Sequence, residues 1–398
     1  MPQQPAYPDA LAEVCAKSHA PGRAPAGTVL APPGAMERPW DRRPAPDGLR
    51  AAAAAAASAA LALAVFAALR PRKTPTRAAL VTGGSRGLGL LLAREYQRRG
   101  ARVAICGRDD DTLARAKAML DANGRPVLAI PCDLRSREEV DQLVAAARQH
   151  LGPLDTVVHN AGVIQVGPEI HMTEADYEEA MQVHFFAALR LVEGVLPEMR
   201  ARGRGRIVNV ASIAGLLPMP HLLPYSASKC ALAGWSQALR AELAKDGVSV
   251  TTVCPALMRT GSPPHALFKG RHREEYAWFS IGDSLPGLSI AAERAAARIV
   301  RAGEAGRAMV ILPLHARLAV ALHGLAPGLV GDALAAVDRL LPAPGGIGAQ
   351  ARFGRESASA WSPSPLTALT ERAARRFNQR PAGPDGAEPE SGAQNVPA

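Results

Sequence analysis

Aromatic residues are scarce in this chain: only 4% of it is Phe, Trp or Tyr. No stretch interleaves basic with aromatic residues, and neither zinc-finger spacing nor an RNA-binding signature occurs, which argues against a nucleic-acid partner. Cysteine is equally sparse. Cys15, Cys106, Cys132, Cys230 and Cys254 are odd in number and far apart, with no C-x-x-C pair. That spacing offers neither a disulfide framework nor a metal-ligand set, and it fits buried packing thiols in a reducing compartment.

Aliphatic residues are what the chain has instead. Its 48% hydrophobic content comes mainly from Ala, Leu and Val, which suits helices packed on a sheet. With 398 residues it has room for two average domains or one large α/β domain with a sizeable core. The net charge of +10 is unevenly placed: residues 1–77 hold ten Lys and Arg against five acids. Such a basic arm points to an anionic surface. Residues 1–50 are rich in Pro, Ala and Gly without a sustained apolar period, so they read as a disordered arm, within which Met36 is an alternative start. Residues 51–69 carry no charge and as a helix would reach about 28 Å, enough to span a bilayer. Thirteen of these 19 residues are alanine, so the insertion energy is marginal. The segment reads as a membrane anchor, with a soluble alanine-rich helix and a cleaved leader as the alternatives. Arg38, Arg42, Arg43 and Arg50 before it balance Arg70, Arg72, Lys73 and Arg77 after it, so no orientation follows.

From Ala78 the pattern changes. Short β-branched or apolar runs at 78–82, 102–106, 127–131, 156–159, 206–210, 248–254 and 309–312 alternate with amphipathic stretches of helical length. This alternation predicts one doubly wound α/β domain over residues 78–312, a parallel sheet with helices on both faces. Ligands of such sheets bind at the carboxyl ends of the strands.

The first of these strands runs into Thr82-Gly83-Gly84-Ser85-Arg86-Gly87-Leu88-Gly89 and then into a helical stretch. Glycines in that context let the backbone turn tightly against a pyrophosphate, which the helix N-terminus stabilises through free N–H groups and its dipole. After the second strand, Cys106-Gly107-Arg108 places a cation where a dinucleotide without a 2′-phosphate usually meets an acid. Arg86 adds a second. Two guanidiniums suit a 2′-phosphate and predict NADP, even though Asp109 and Asp110 follow closely; a solvated helix-start role is the alternative for Arg108.

Tyr225-Ser226-Ala227-Ser228-Lys229 places a phenol and an ammonium one helical turn apart on one face. A cation beside a phenol favours the phenolate and allows proton exchange near neutral pH. Ser212, thirteen residues upstream, offers a hydroxyl to a substrate oxygen.

The glycine turn, Asn160-Ala161-Gly162 after the fourth strand, Ser212 and the Tyr225 to Lys229 motif together resemble the short-chain dehydrogenase/reductase family, over roughly residues 78–312. The resemblance implies a Rossmann fold and hydride transfer between a nicotinamide and a carbonyl or secondary alcohol. It implies that Tyr225 is the general acid/base, that Lys229 lowers its pKa and holds the nicotinamide ribose, and that Ser212 positions the substrate carbonyl. Gly83, Gly87 and Gly89, with Ser85, Arg86 and Leu88 among them, would form the phosphate turn. Asp133 would contact adenine, Asn160 would brace the cofactor strand, and Pro255 to Thr260 would meet the carboxamide, although Ala256 replaces the usual glycine. A homo-oligomer is implied as well.

One position departs from the family pattern. His184, in Val183-His184-Phe185-Phe186, stands where the family commonly has a structural and catalytic Asn. Its ring would either take the Asn's part in the proton relay behind Lys229 or serve only as a buried, hydrogen-bonded histidine.

Residues 261–288 include Pro263, Pro264, Phe268, Tyr276, Trp278 and Phe279. By resemblance this is a mobile lid; its aromatics would meet a bulky apolar substrate or pack the loop onto the core. Leu314, Leu318, Leu322 and Leu325, then Pro327-Gly328, then Val330, Leu334, Val337 and Leu341 predict two short amphipathic helices within 313–350. These would cover the active-site mouth, a second subunit or a membrane surface. Residues 351–398 read as mostly disordered outside 366–377. The whole predicts an NADP-dependent reductase of a lipophilic ketone or aldehyde, cytoplasmic or membrane-associated. A dinucleotide-binding sensor or scaffold of the same fold is the alternative.

Overall fold

The computed structural model describes residues 75–122 and 124–379, with Ser58 and Ala60, both helical. The expected N-terminal arm, nearly all of the 51–69 segment and the end of the C-terminal tail lie outside the described residues.

Seven parallel strands form the central sheet: β1 (Ala78–Thr82), β2 (Arg102–Gly107), β3 (Leu128–Pro131), β4 (Thr156–His159), β5 (Gly205–Val210), β6 (Val248–Pro255) and β7 (Met309–Leu312). They lie in the order β7-β6-β5-β4-β1-β2-β3. Every residue of β1 and β6 is buried, as helices on both faces require. The register of β1 on β2 runs from Ala78 opposite Arg102 to Thr82 opposite Cys106, so the loops after both strands leave at one level. The order reverses between the adjacent strands β1 and β4, and this opens a crevice at their carboxyl ends.

The helices that cover the sheet bury one stripe each. α1 (Gly87–Arg98) puts Leu90, Leu91 and Tyr96 on one face of the sheet. α2 (Asp110–Asp121) starts where Asp109 accepts from the Thr112 N–H at 2.8 Å. α3 (Arg137–Leu151) buries Val140, Leu143 and Val144 on the opposite face. α4 (Glu174–Met181) passes through one π-helical turn, Gln182–Phe186, into α5 (Ala187–Ala201). The long α6 (Leu223–Leu243) follows β5, and α7 (His272–Ser284) and α8 (Ala292–Glu304) follow β6. Cys106, Cys132 and Cys254 are buried free thiols, as expected, whereas Cys230 is exposed because it lies on the outer side of α6.

Among the lid aromatics, Phe268, Tyr276 and Phe279 are buried and meet edge to face, with ring centres 5.4 and 6.0 Å apart from that of Phe268. They pack the loop. The two helices expected after the sheet are α9 (Leu314–Leu325) and α10 (Pro327–Asp338), and of their residues only Ala316 is buried. Leu314, Leu318, Leu325 and Leu329 face outward, so this stripe does not close on the core. No helix among the described residues is long and apolar enough to cross a membrane.

The C-terminal segment corrects an expectation. Residues 351–365, expected to be disordered, are built into the domain, and a helix forms within the excepted stretch 366–377. Arg352–Phe353 pairs antiparallel with Leu267–Phe268, which pairs with Gln165–Val166. α11 (Ala368–Arg376) then packs so closely on Gly261 that a Cβ there would lie 2.3 Å from the Ala374 Cα. Nothing apolar and periodic announces residues 351–365; contacts with residues far away in sequence order them.

Candidate active site

Thr82 ends β1, and the glycine turn begins at once. Gly83 and Gly87 hold φ of +61° and +55°, which side chains oppose. A Cβ on Gly89 would lie 2.0 Å from the Gly83 carbonyl oxygen. Asn160, after β4, donates its side-chain amide to the carbonyls of Thr82 and Gly83 at 3.2 and 3.3 Å. Its N–H and that of Ala161 reach the Thr82 hydroxyl at 3.0 and 3.2 Å. The two loops that flank the crevice are thereby tied to each other.

Ser212 caps the short turn Ile213–Gly215, accepting from the Ala214 N–H at 3.1 Å. A Cβ on Gly215 would meet the Lys229 carbonyl oxygen at 2.5 Å, so this turn lies flat against α6. Pro224 lies in the first turn of α6, and Tyr225 and Lys229 follow one turn apart. The Lys229 ammonium donates to the Val210 carbonyl at 2.9 Å and sits 5.7 Å from the centre of the Tyr225 ring.

Electrostatics at this pair differ from the expectation that Lys229 lowers the phenol's pKa. Burial raises Tyr225 above the usual phenol value, and a side-chain hydrogen bond with Ser212 partly offsets it. Burial also lowers Lys229 to about 7. Both shifts favour the neutral form, because desolvation opposes charge on either partner. Ser212, rather than Lys229, is the neighbour that favours the phenolate.

His184 sits in the π turn with both ring nitrogens engaged. Nε2 accepts from the Val163 N–H at 3.1 Å, and Nδ1 lies 2.7 Å from the Ser228 hydroxyl. Burial, then the Lys229 charge, holds its pKa well below the usual histidine value. His159 Nε2 donates to the His184 carbonyl at 3.0 Å. The imidazole is therefore a neutral brace between the loop after β4 and α6.

Every residue predicted to bind the cofactor, from Gly83 to Thr260, lines one cavity of about 440 Å³ together with Tyr225 and Lys229. Ser212 reaches the cavity edge through its hydrogen bond with Tyr225, and His184 contacts Val163, another lining residue. Arg86 donates to His265 Nδ1 at 2.9 Å, and burial, then Arg108, lowers its pKa to about 10. Arg108 lines the same cavity. The Asp133 carboxylate is held by Arg135, which lowers its pKa. His265, Phe353 and Gln379 also line the cavity and escaped sequence reasoning. No local pattern marks them, since each arrives by tertiary packing. The glycine cradle and the cavity that it shares with Tyr225 and Lys229 fit a nicotinamide dinucleotide.

Residues 77–265 match the sequence family described as short chain dehydrogenase. A ketoacyl reductase of Nostoc sp. is 37% identical over 179 residues, which are 45% of this chain and 62% of that relative. Dehydrogenase/reductase SDR family member 4 of Oryctolagus cuniculus is 36% identical over 200 residues, covering 50% of this chain and 76% of the relative. The chain belongs to the short-chain dehydrogenase/reductase family. Solved structures agree with that membership. A variant of actinorhodin polyketide ketoreductase with NADPH superposes with a TM-score of 0.54 at 30% identity, covering 60% of this chain and 95% of that one. L-sorbose reductase from Gluconobacter frateurii, complexed with NADPH and L-sorbose, superposes with a TM-score of 0.53 at 26% identity, with 60% and 95% covered. Short-chain dehydrogenases/reductases are oxidoreductases that bind nicotinamide dinucleotides and act on small molecules. α9 to α11 lie beyond residues 77–265, the stretch that the family model matches.

Proposed function

We propose that this chain is an NADP-dependent reductase of a lipophilic ketone or aldehyde. One observation carries the reading: Tyr225 and Lys229 line the same cavity as the glycine turn and Arg86 and Arg108. A nicotinamide dinucleotide bound there supplies hydride to a carbonyl carbon. The protein's own groups do the rest. Tyr225, neutral at physiological pH because it is buried, delivers its proton to the carbonyl oxygen. Ser212 donates a hydrogen bond to that oxygen and stabilises its developing charge, an effect worth about 3 kcal/mol in comparable sites. Lys229, lowered to about 7, exchanges protons near neutrality and restores the phenol. Asn160 and His184 hold the loop and the helix that carry these groups in register.

The preference for NADP is supported by Arg86 and Arg108, and by the NADPH bound in the two solved relatives. An apolar substrate is supported by Ile164, Met219 and Trp278, which pack with Tyr225 against the Leu222 and Phe268 cluster. The outward leucines of α9 and α10 support a lipid surface as the source of such a substrate. Quantitative recovery without detergent would reject that last part.

NADPH oxidation against a panel of ketones and aldehydes tests the reading. Turnover on apolar carbonyls is expected. Tight NADPH binding with no oxidation across the panel would replace the enzyme by a dinucleotide sensor.

A further inference from the structure

The C-terminal extension reaches the cofactor cavity, although it lies far beyond the family-matched residues 77–265. Its path is set by contacts at both ends. Arg352–Phe353 extends the small sheet through Leu267–Phe268, and the Gly354 N–H donates to the Ala266 carbonyl at 2.9 Å. At the other end, the Phe377 carbonyl accepts from the Gly87 N–H at 2.9 Å, on the first residue of α1. Asn378, at φ +57°, donates its side-chain amide to the carbonyls of Ser85 and Thr112, both at 2.8 Å, and accepts from Arg115 Nε at 3.2 Å. The Gln379 amide reaches the Thr260 carbonyl at 3.3 Å, which bridges the glycine turn and the loop after β6. The contacts of Asn378 with Thr112 and of Gln379 with Thr260 are buried, so the end of the strap is seated inside the fold.

Between these anchors lies Arg355. It stacks over the Phe353 ring at 4.3 Å and lines a second cavity of about 990 Å³. That cavity adjoins the first through Ser85, Arg86, Arg108, His265, Phe353 and Gln379. Its charge is unbalanced. The guanidiniums of Arg86, Arg108, Arg115 and Arg355 face the carboxylates of Asp109 and Asp111 only. Asp109 is engaged in capping α2, and Arg115 is engaged with Asn378 and Thr112. Among the described residues neither Arg86 nor Arg108 has an ion-pair partner, and Arg355 approaches Glu356 no closer than 3.9 Å. Like charges gathered around one cavity repel each other, and a doubly charged phosphate would relieve that repulsion.

We propose that the extension is part of the cofactor site, with Arg355 adding a third guanidinium, beside Arg86 and Arg108, for the 2′-phosphate of NADP. The proposal rests on the NADP reading above and deepens it: selectivity between the phosphorylated and unphosphorylated dinucleotides is shared by a residue outside the family-matched stretch. Arg355 recognises the phosphate only because residues 352–354 and 377–379 pin the strap to the lid strand and the glycine turn.

The test measures dissociation constants of NADPH and NADH on the full chain by calorimetry, which reads binding rather than turnover. Arg355→Ala is half-exposed and leaves the anchors intact. It is expected to weaken NADPH about tenfold, the equivalent of about 1.4 kcal/mol, with NADH unchanged and Arg355→Lys recovering part of the loss. Arg339→Ala, exposed at the end of α10 and outside both cavities, is expected to change neither constant. A wild-type preference for NADPH that survives Arg355→Ala in full would overturn this inference while leaving the NADP reading in place. Equal affinity of the wild type for both dinucleotides would remove the NADP reading and this inference with it.

Discussion

His184 Nδ1 and the Ser228 hydroxyl lie 2.7 Å apart, and this contact fastens the π turn to the helix that carries Tyr225 and Lys229. Because Nε2 accepts from the Val163 N–H, a neutral ring carries its proton on Nδ1 and donates it to Ser228. Ser228 in turn donates to the carbonyls of Pro224 and Tyr225, both at 2.9 Å. The histidine thus reaches the active-site helix through hydrogen bonds at its first turn.

His184→Ala is expected to strip the Val163 N–H of its acceptor, remove the hydrogen bond to Ser228 and leave a cavity at a fully buried position, at a cost of about 2–4 kcal/mol. His184→Asn, which keeps a donor and an acceptor, should recover most of that stability and of kcat. Urea unfolding and kcat measured on both variants check this. Equal loss in the two would show that ring shape rather than hydrogen bonding matters.

Tyr225→Phe removes the proton donor while keeping the ring that packs against His184 at 5.4 Å between centres. Turnover is expected to fall by about 10²–10⁴-fold with NADPH affinity nearly unchanged. Activity within a few-fold of wild type would refute the role of the phenol.

Lys229 is costly to the fold. Its pKa is lowered to about 7 from the ordinary 10.5 by burial. Between those values the unfolded chain binds more protons than the folded one, so stability rises as pH climbs through that window and is lower near pH 7. Lys229→Met should be inactive, more stable than wild type at pH 7 by upwards of about 1 kcal/mol, and free of that slope. Urea midpoints between pH 7 and 10 read it out.

Asp283 behaves in the opposite sense. Burial raises its carboxyl to about 8, and Oδ2 has no hydrogen-bond partner among the described residues. Here the folded chain holds the proton more tightly, so stability falls as pH rises from about 4 to about 8. Asp283→Asn should flatten this fall and gain stability at pH 7, by upwards of about 1 kcal/mol. An unchanged midpoint at pH 7 would contradict the burial argument.

Gly261→Ala tests how the extension is seated. The residue has φ of +75°, and its Cβ would meet the Ala374 backbone nitrogen at 2.3 Å. The substitution is expected to cost about 2–4 kcal/mol and to expose residues 352–379 to limited proteolysis. Protection equal to wild type would show that α11 is seated by other contacts.

The seven strands were legible because each is a short β-branched or aliphatic run bounded by polar or glycine punctuation, a pattern set by burial on both faces. The glycine turn was legible for a related reason. Gly83 and Gly87 occupy left-handed backbone where other residues are strained, and Gly89 leaves no room for a side chain beside Gly83. The π turn at His184 was not legible, since it depends on how α4 and α5 meet rather than on the residues of either. The direction of the Tyr225 shift was not legible either. Proximity to Lys229 suggested one sign, and burial of both groups imposed the other.

By itself the sequence determined the doubly wound body, the dinucleotide turn, and a phenol, an ammonium and a hydroxyl that meet at the end of the crevice. These follow from local conformational preference and from spacing along single elements. Only the tertiary structure decided that His184 is a neutral brace, that the lid aromatics pack inward, and that residues 352–379 return across the chain to the glycine turn. Each of those rests on contacts between residues tens to hundreds of positions apart, as between Asn378 and Ser85, and no local pattern encodes such a meeting.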